Sequence, residues 1–271
     1  MTDDNLPHEI PLVGASNFRD LGGYAAEPGS VRFGAVYRSG RLPGLTDGDL
    51  RIVEDLGIRT VVTLLTDDDV AEYGPDRLPT GARSVALPID SPTATDLAER
   101  ARSALSSGDF STVPPELNLR IHRLLVSDGR ERYGELLRLI ADPDNRPLVF
   151  HCSHGVHRTG TAAAILLALL GVDWAAVRHD YLASNRCRRH EVADQLDRMQ
   201  AGVAQRQGIP TDEVDMTNME AFMIQNGSYI DATRDQVEHE YGSFEHYARD
   251  GLGCTDDLIQ SLRDQLIDRS T

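Results

Sequence analysis

Cys152 and Arg158 stand six positions apart in the run His151-Cys152-Ser153-His154-Gly155-Val156-His157-Arg158-Thr159-Gly160. A short apolar run, Leu148 to Phe150, precedes them, and an almost wholly apolar helical run, Thr161 to Leu170, follows. Strand, tight loop and helix start is the order that this pattern predicts. A loop at a helix N-terminus aims backbone N–H groups inward and carries the positive end of the helix dipole. The N–H groups from Ser153 through His154, Gly155, Val156 and His157 to Arg158 would form an anion nest. The same field lowers the pKa of a cysteine placed there and makes it a thiolate near neutral pH. A guanidinium in the first turn can fork two donors onto a tetrahedral oxyanion. Together they make a covalent phosphoryl-transfer site. A buried structural cysteine is the competing reading of Cys152, since free cysteine is among the most buried residue types. The spacing to Arg158, the flanking His151, the two glycines and the apolar helix favour chemistry.

Positioning such a loop requires a strand behind it and neighbours at the same rim. Strands are expected over Val31–Tyr37, Thr60–Leu65 and Arg83–Ile89, the last ending at Asp90-Ser91-Pro92. Thr46 is an N-cap for a helix from Asp47 to Leu56, with Gly57 as its stop. Helical patterns follow at 95–106, 115–141, 159–170, 173–184, 189–206, 216–225, 230–240, 243–250 and 256–267. Residues 1–15 read as a loose lead-in, and Asp20 as a group that ties the Gly22-Gly23 turn. Strands alternating with helices imply an α/β fold with a central, mostly parallel sheet flanked by helices. Ligands in such folds sit beyond the carboxyl ends of strands. The loop after Phe150, Tyr37-Arg38-Ser39 and Asp90 each follow an expected strand, so they could converge on one rim. Residues 1–271 are read as a single domain. Two helical insertions, 92–145 and 186–250, exceed a minimal core and are either extra packing or a lid over the site.

The chain has 271 residues and a net charge of −16; all 27 basic residues are arginine against 43 acidic ones. An acidic chain repels nucleic acid and anionic membrane surfaces. The tail from Ala201 to Thr271 holds five arginines and fourteen acidic residues, so it is no nucleic-acid arm. The longest apolar stretch, Thr161 to Val172, is too short to span a membrane. Met1 to Glu9 lacks the layout of a signal peptide, which points to the cytoplasm with signal-independent export left open. Cys152, Cys187 and Cys254 form no metal spacing, and their sparse, odd count suits a reducing compartment.

The loop resembles the His-Cys-x5-Arg-Thr-Gly signature of cysteine-dependent protein tyrosine phosphatases. Further motifs appear in order: Asn17-Phe18-Arg19-Asp20-Leu21-Gly22-Gly23, Tyr37-Arg38-Ser39, Leu56-Gly57-Ile58-Arg59-Thr60-Val61, Asp180-Tyr181-Leu182-Ala183-Ser184-Asn185 and Gly251-Leu252-Gly253. With the loop they resemble the atypical bacterial tyrosine phosphatase family over residues 15–268. The resemblance implies the cysteine-phosphatase fold with helical insertions, a phosphocysteine intermediate and no metal or other cofactor. It makes His151 a buttress of the loop, and Asp20 and Arg38 supporting residues. Thr159 could bond the Cys152 sulfur, or simply cap the helix.

Two positions depart from the family. Val156-His157 stands where the family has Lys-Asp, and Thr63-Leu64-Leu65 where it has Asp-Leu-Arg. The missing lysine weakens a phosphoinositide reading, and the missing carboxylates leave the general acid open. His157 is expected narrowly ahead of Asp90, with Asp20 third. The expected substrate is a phosphorylated protein, by default phosphotyrosine. A small phosphate ester (sugar, nucleotide or metabolite) and a phosphate-binding pseudophosphatase are the alternatives.

Overall fold

Leu148-Val149-Phe150-His151 is buried at every position and forms the middle strand of a five-stranded sheet. The computed structural model describes residues 8–93, 96, 103–104, 110, 113–114 and 116–270. The first half of the chain supplies β1 (Arg19–Asp20), β2 (Ala25–Ala26), β3 (Gly29–Val31), β4 (Val36–Ser39), α1 (Asp47–Asp55), β5 (Thr60–Thr63), α2 (Asp67–Tyr73) and β6 (Arg83–Ala86). Then follow α3 (Leu117–Asp128), α4 (Arg130–Ala141), β7 (Leu148–His151), α5 (His157–Leu169), α6 (Trp174–Cys187) and α7 (Arg189–Gln207). The chain closes with α8 (Thr217–Met223), α9 (Gly227–Tyr241), α10 (Asp256–Leu266) and β8 (Ile267–Asp268).

The main sheet runs β1-β4-β7-β5-β6. β4, β7, β5 and β6 are parallel and β1 is antiparallel. This is the expected mostly parallel sheet with helices on its faces. Successive side chains of β7 face opposite sides, so Val149 packs with Phe18, Val53 and Ile58 while Phe150 packs with the α5 side. A strand covered on both faces reads as an unbroken apolar run, as here. Ala162 to Leu167 of α5 are buried all round, which is why that helix is apolar all round. A second, antiparallel sheet, β2-β3-β8, ties the C-terminus to the start of the fold through Val31 and Ile267.

Several boundaries differ from expectation for local reasons. The strand expected over Val31–Tyr37 is split, because Gly34 takes φ +70° and donates its N–H to Asp20 Oδ2 at 2.7 Å. The helix expected over 115–141 breaks at Gly129, whose missing side chain leaves room for the Tyr133 ring. The pattern at 243–250 becomes the short helix Phe244–His246 followed by a wider π turn over Tyr247–Gly251. The expected helix over 95–106 falls largely outside the described residues. From His8 onward the lead-in is fastened: Asp49 Oδ1 and Oδ2 accept the N–H groups of Val13 and Gly14 at 2.8 and 2.9 Å. The whole of α2 was missing from the sequence reading. Among the described residues no helix is long and apolar enough to cross a membrane.

Candidate active site

The parallel strands end together at Ser39, His151, Thr63 and Ala86, and the loop Cys152–Val156 leaves from the central one. Gly155 takes φ +65°, and a Cβ there would lie 2.5 Å from the Ser39 carbonyl oxygen. Only glycine lets the loop turn this close to β4. α5 begins at His157, so Arg158 lies in its first turn, as the spacing predicts. Cys152 is 3% exposed. Burial alone would raise its thiol pKa. The Arg158 charge, the Thr159 hydroxyl and the N–H groups of Thr159 and His154 overcome this and lower it. The Thr159 hydroxyl is buried with no other hydrogen-bond partner among the described residues, which leaves it to the sulfur.

Arg158 is aimed by three acceptors. Its Nη1 donates to Asp69 Oδ2 at 2.6 Å and to the Leu64 carbonyl at 3.2 Å, and its Nη2 donates to Ser153 Oγ at 3.2 Å. Among the described residues Nε takes no partner and Nη2 keeps one hydrogen spare. That Nε/Nη2 edge is the one that can fork onto two oxygens of one phosphoryl group. Desolvation would lower the pKa of this guanidinium, but the Cys152 and Asp69 charges outweigh it and raise it. Asp69 answers in the opposite sense: burial would raise its carboxyl, and Arg158 and Thr66 hold it below the ordinary range.

A layer of buried polar residues carries the loop from beneath. Asn17 sits at φ 64° and donates from Nδ2 to the carbonyls of His154 and Gly155 at 3.1 and 2.9 Å. Arg38 Nη2 donates to the Gly155 carbonyl at 2.7 Å, and its Nη1 to Asp180 Oδ2. Arg19 donates from Nε to Asp180 Oδ1 at 2.9 Å, from Nη2 to the Asp180 carbonyl at 2.9 Å, and from Nη1 to Asn17 Oδ1. Burial would raise the Asp180 carboxyl, but Arg19 and Arg38 pull it down to about 2. Arg38 therefore supports the loop and does not line the site mouth.

The remaining expected residues fall into distinct places. His151 is fully buried behind Cys152, with Nε2 2.8 Å from Asp76 Oδ2. Val156 is buried at the end of the loop. His154 is half-buried, its Nε2 3.9 Å from Glu191 Oε1, and burial together with Arg188 holds its pKa down. His157 donates its Nε2–H to Asn118 Oδ1 at 2.9 Å. The roles are fixed because Asn118 Nδ2 donates to the carbonyls of Ala221 and Phe222 at 3.2 and 3.1 Å. Burial, Arg188 and Arg158 lower the His157 pKa to about 3. Asp90 is exposed beyond the end of β6. Its neighbour Ile89 donates to the Leu64 carbonyl at 3.2 Å, the acceptor that Arg158 also reaches. Asp20 is buried and accepts from Gly22 N and Gly34 N at 2.8 and 2.7 Å, and burial raises its pKa. Its pairing with Tyr37 places it a residue further back along β4 than Arg38, away from the rim.

Asp69, Asp76 and Asn118 escaped the sequence reading. The signal for Asp69 was present: Thr66-Asp67-Asp68-Asp69 is a Thr-x-x-Asp capping box, and both of its reciprocal bonds form. Asp76 and Asn118 carried no local signal. Among the described residues no group of three His, Cys, Asp or Glu side chains is placed to hold a metal ion.

The profile of the tyrosine phosphatase family matches residues 10–268. Triple specificity protein phosphatase PtpB of Mycobacterium tuberculosis is 26% identical over 94% of this chain and 98% of its own length. A Cupriavidus necator protein that bears the provisional name of a tyrosine-protein phosphatase is 31% identical over 90% of this chain and 84% of its own. The solved structure of TpbA from P. aeruginosa is 18% identical over 80% of this chain and 98% of that one, with a TM-score of 0.37. The chain belongs to the tyrosine phosphatase family and is a cysteine-based phosphatase, a hydrolase of phosphoric monoesters.

Proposed function

We propose that this chain removes phosphate from protein phosphotyrosine, without a metal, through a phosphocysteine at Cys152. The observation that carries this reading is the pairing of a thiol of lowered pKa with an arginine whose Nε/Nη2 edge is open. The Cys152 thiolate attacks phosphorus, and the bond from phosphorus to the phenolic oxygen breaks as the S–P bond forms. Arg158 and the loop N–H groups hold the three equatorial oxygens throughout. Water then attacks phosphorus, the S–P bond breaks, and thiolate and inorganic phosphate are released. The names of the relatives support phosphotyrosine as the substrate.

The leaving oxygen needs a proton, and the geometry favours Asp90 over His157 as its donor. A histidine whose pKa lies near 3 is neutral at neutral pH, and its single N–H is already given to Asn118. Asp90 is exposed, beyond a strand end, and one residue from the contact at Leu64 that also holds Arg158. In this reading His157 is an anchor. Through Asn118 it ties α3 of the first insertion and the end of α8 in the second to the phosphate loop. Its ring lies 6.3 Å from that of Phe222. These contacts support reading the two insertions as walls of the site.

The three free cysteines fit work in a reducing compartment, the cytoplasm. The test is a rapid-mix assay on a phosphotyrosine peptide and on p-nitrophenyl phosphate with chelator present. We expect an acid-stable phosphoenzyme in the wild type and none in Cys152→Ser, which still binds vanadate or phosphate. Turnover in Cys152→Ser would remove the covalent mechanism.

A further inference from the structure

Arg188 stands at the turn between α6 and α7, and its backbone N–H closes α6 on the Ser184 carbonyl at 3.1 Å. This turn is fastened to the phosphate loop. Asn17 Nδ2 reaches Ser184 Oγ at 3.3 Å as well as the His154 and Gly155 carbonyls. One turn further on, Glu191 Oε1 lies 3.9 Å from His154 Nε2. Among the described residues Arg19, Arg38 and Arg188 are the buried arginines. Arg19 and Arg38 give their Nη groups to carbonyl, amide and carboxylate oxygens. Arg188 does not. Its side chain is 5% exposed, and its Nε donates to Glu191 Oε2 at 3.2 Å. Its Nη1 and Nη2 have no hydrogen-bond partner among the described residues, and neither is sealed from solvent as Arg38 Nε is. Glu191 is shared with His154 and Ser16, so it does not cancel the guanidinium alone. The Arg188 charge is the largest that acts on both His154 and His157, ahead of Arg158 at the latter. The guanidinium therefore stands beside the loop on the side of these two rings. Phe222 and Asn118 flank His157 there. A cation held this deep with open donors is costly unless an anion completes it.

We propose that Arg188 is a specificity-determining residue, whose Nη edge takes a negatively charged side chain that neighbours the phosphotyrosine in the substrate. Arg158 grips the phosphoryl group, and Arg188 meets the second anion beside the loop. A planar guanidinium presents donors that match a carboxylate. The bond from Nε to Glu191 orients the plane and leaves the Nη edge to the substrate. The bulk charge of −16 acts on an acidic peptide from a distance and is screened by salt, whereas this contact is local. The preference therefore attaches to particular positions around the phosphotyrosine and not to the net charge of the peptide. The inference rests on the proposed phosphotyrosine activity, and it adds which sequences around that residue are favoured.

The test uses a phosphotyrosine peptide of otherwise neutral residues, in which one glutamate is walked through the positions on either side of the phosphotyrosine. Each peptide is paired with its glutamine twin, and the readout is the glutamate-to-glutamine ratio of kcat/KM in the full-length chain. A general loss of activity in a variant cancels from this ratio. In the wild type a favoured position should give a ratio of about ten, the size expected of one charge-assisted hydrogen bond. The gain should appear in KM with kcat common to the pair, because the second anion is held alike before and during the chemical step. Arg188→Gln should bring that ratio to one or below. Arg188→Lys keeps the charge without the planar fork and should retain part of it. A wild type with ratios at or below one at every position overturns the proposal without any variant. So does a ratio that survives in Arg188→Gln, or a gain carried by kcat alone. A wild type that turns over none of the phosphopeptides overturns the phosphotyrosine reading itself. One that turns over all of them without preference overturns only the role of Arg188.

Discussion

Replacing Asp180 by asparagine should unlink the fold from the site. The carboxylate is buried and balances two buried guanidinium groups, Arg19 at 2.9 Å and Arg38. Its pKa of about 2 lies roughly two units below an ordinary aspartate, which is worth about 2–3 kcal/mol of stability at neutral pH. Because the folded-state pKa is depressed, that contribution is present above the unfolded value, about 3.9, and is lost as pH falls through about 2. The variant also leaves two buried cations under-compensated, and breaking a buried pair typically costs about 3–5 kcal/mol. We therefore expect Asp180→Asn to destabilise by about 3 kcal/mol at pH 7, a fall of about 6–12 °C in Tm for a chain of this size. The gap from wild type should narrow between pH 4 and pH 2. Arg38, released from Asp180, should hold the Gly155 carbonyl less firmly, so vanadate should bind more weakly. Urea and thermal unfolding across pH, with vanadate titration at pH 7, measure all three. A loss below 1 kcal/mol, or a gap that does not change with pH, would refute the reasoning.

Arg158→Lys should be nearly as damaging to kcat/KM as Arg158→Ala, because a lysine cannot present two parallel donors while a third meets Asp69; a near-wild-type rate would refute the bidentate grip. Asp90→Ala should slow an alkyl phosphate far more than p-nitrophenyl phosphate, by about 100-fold or more for the poor leaving group, and flatten the basic limb of the pH–rate profile. His157→Ala should slow both substrates alike; the reverse pattern returns the acid to His157. Phosphoinositide hydrolysis should be weak relative to aryl phosphates in side-by-side kinetics, since Val156 brings no positive charge to the loop and the chain carries a net charge of −16.

The phosphate loop was legible because its physics is local. A strand, a glycine that must take positive φ, and a helix start are all encoded within twelve residues, and so is the distance from Cys152 to Arg158. The support beneath was legible only in part. Asn17, Arg19, Arg38 and Asp180 stood out as motifs, but nothing near them in sequence says that Arg38 crosses 117 residues to the Gly155 carbonyl. His157 misled for a related reason. Its place beside Arg158 can be read from the sequence, whereas its partner Asn118 lies 39 residues away on α3. The protonation state of an imidazole is decided by such partners and by burial. α2 was overlooked because a seven-residue acidic helix without a buried face shows no apolar period, although its capping box was in view.

The missed helix resolves a tension in the composition. A strongly acidic chain that holds a phosphate dianion should keep carboxylates away from the site, yet two of them sit within 3 Å of His151 and Arg158. Each sits on the far side of its partner side chain. Asp69 occupies the Nη1 side of Arg158 and leaves the Nε/Nη2 edge to substrate. Asp76 lies behind His151, on the side away from the Cys152 carbonyl. A phosphoryl oxygen meets N–H groups first and these two carboxylates only beyond them. At short range the dipoles and the fixed guanidinium dominate, because a low local dielectric strengthens what is nearest. The bulk negative charge acts over longer distances and is screened within about 8 Å at physiological salt. Raising the ionic strength should therefore speed capture of an anionic substrate while leaving the chemical step alone. A kcat/KM that rises with salt at constant kcat on a phosphotyrosine peptide of net negative charge would bear this out. A kcat/KM that falls with salt would mean that the acidic surface does not govern approach to Cys152.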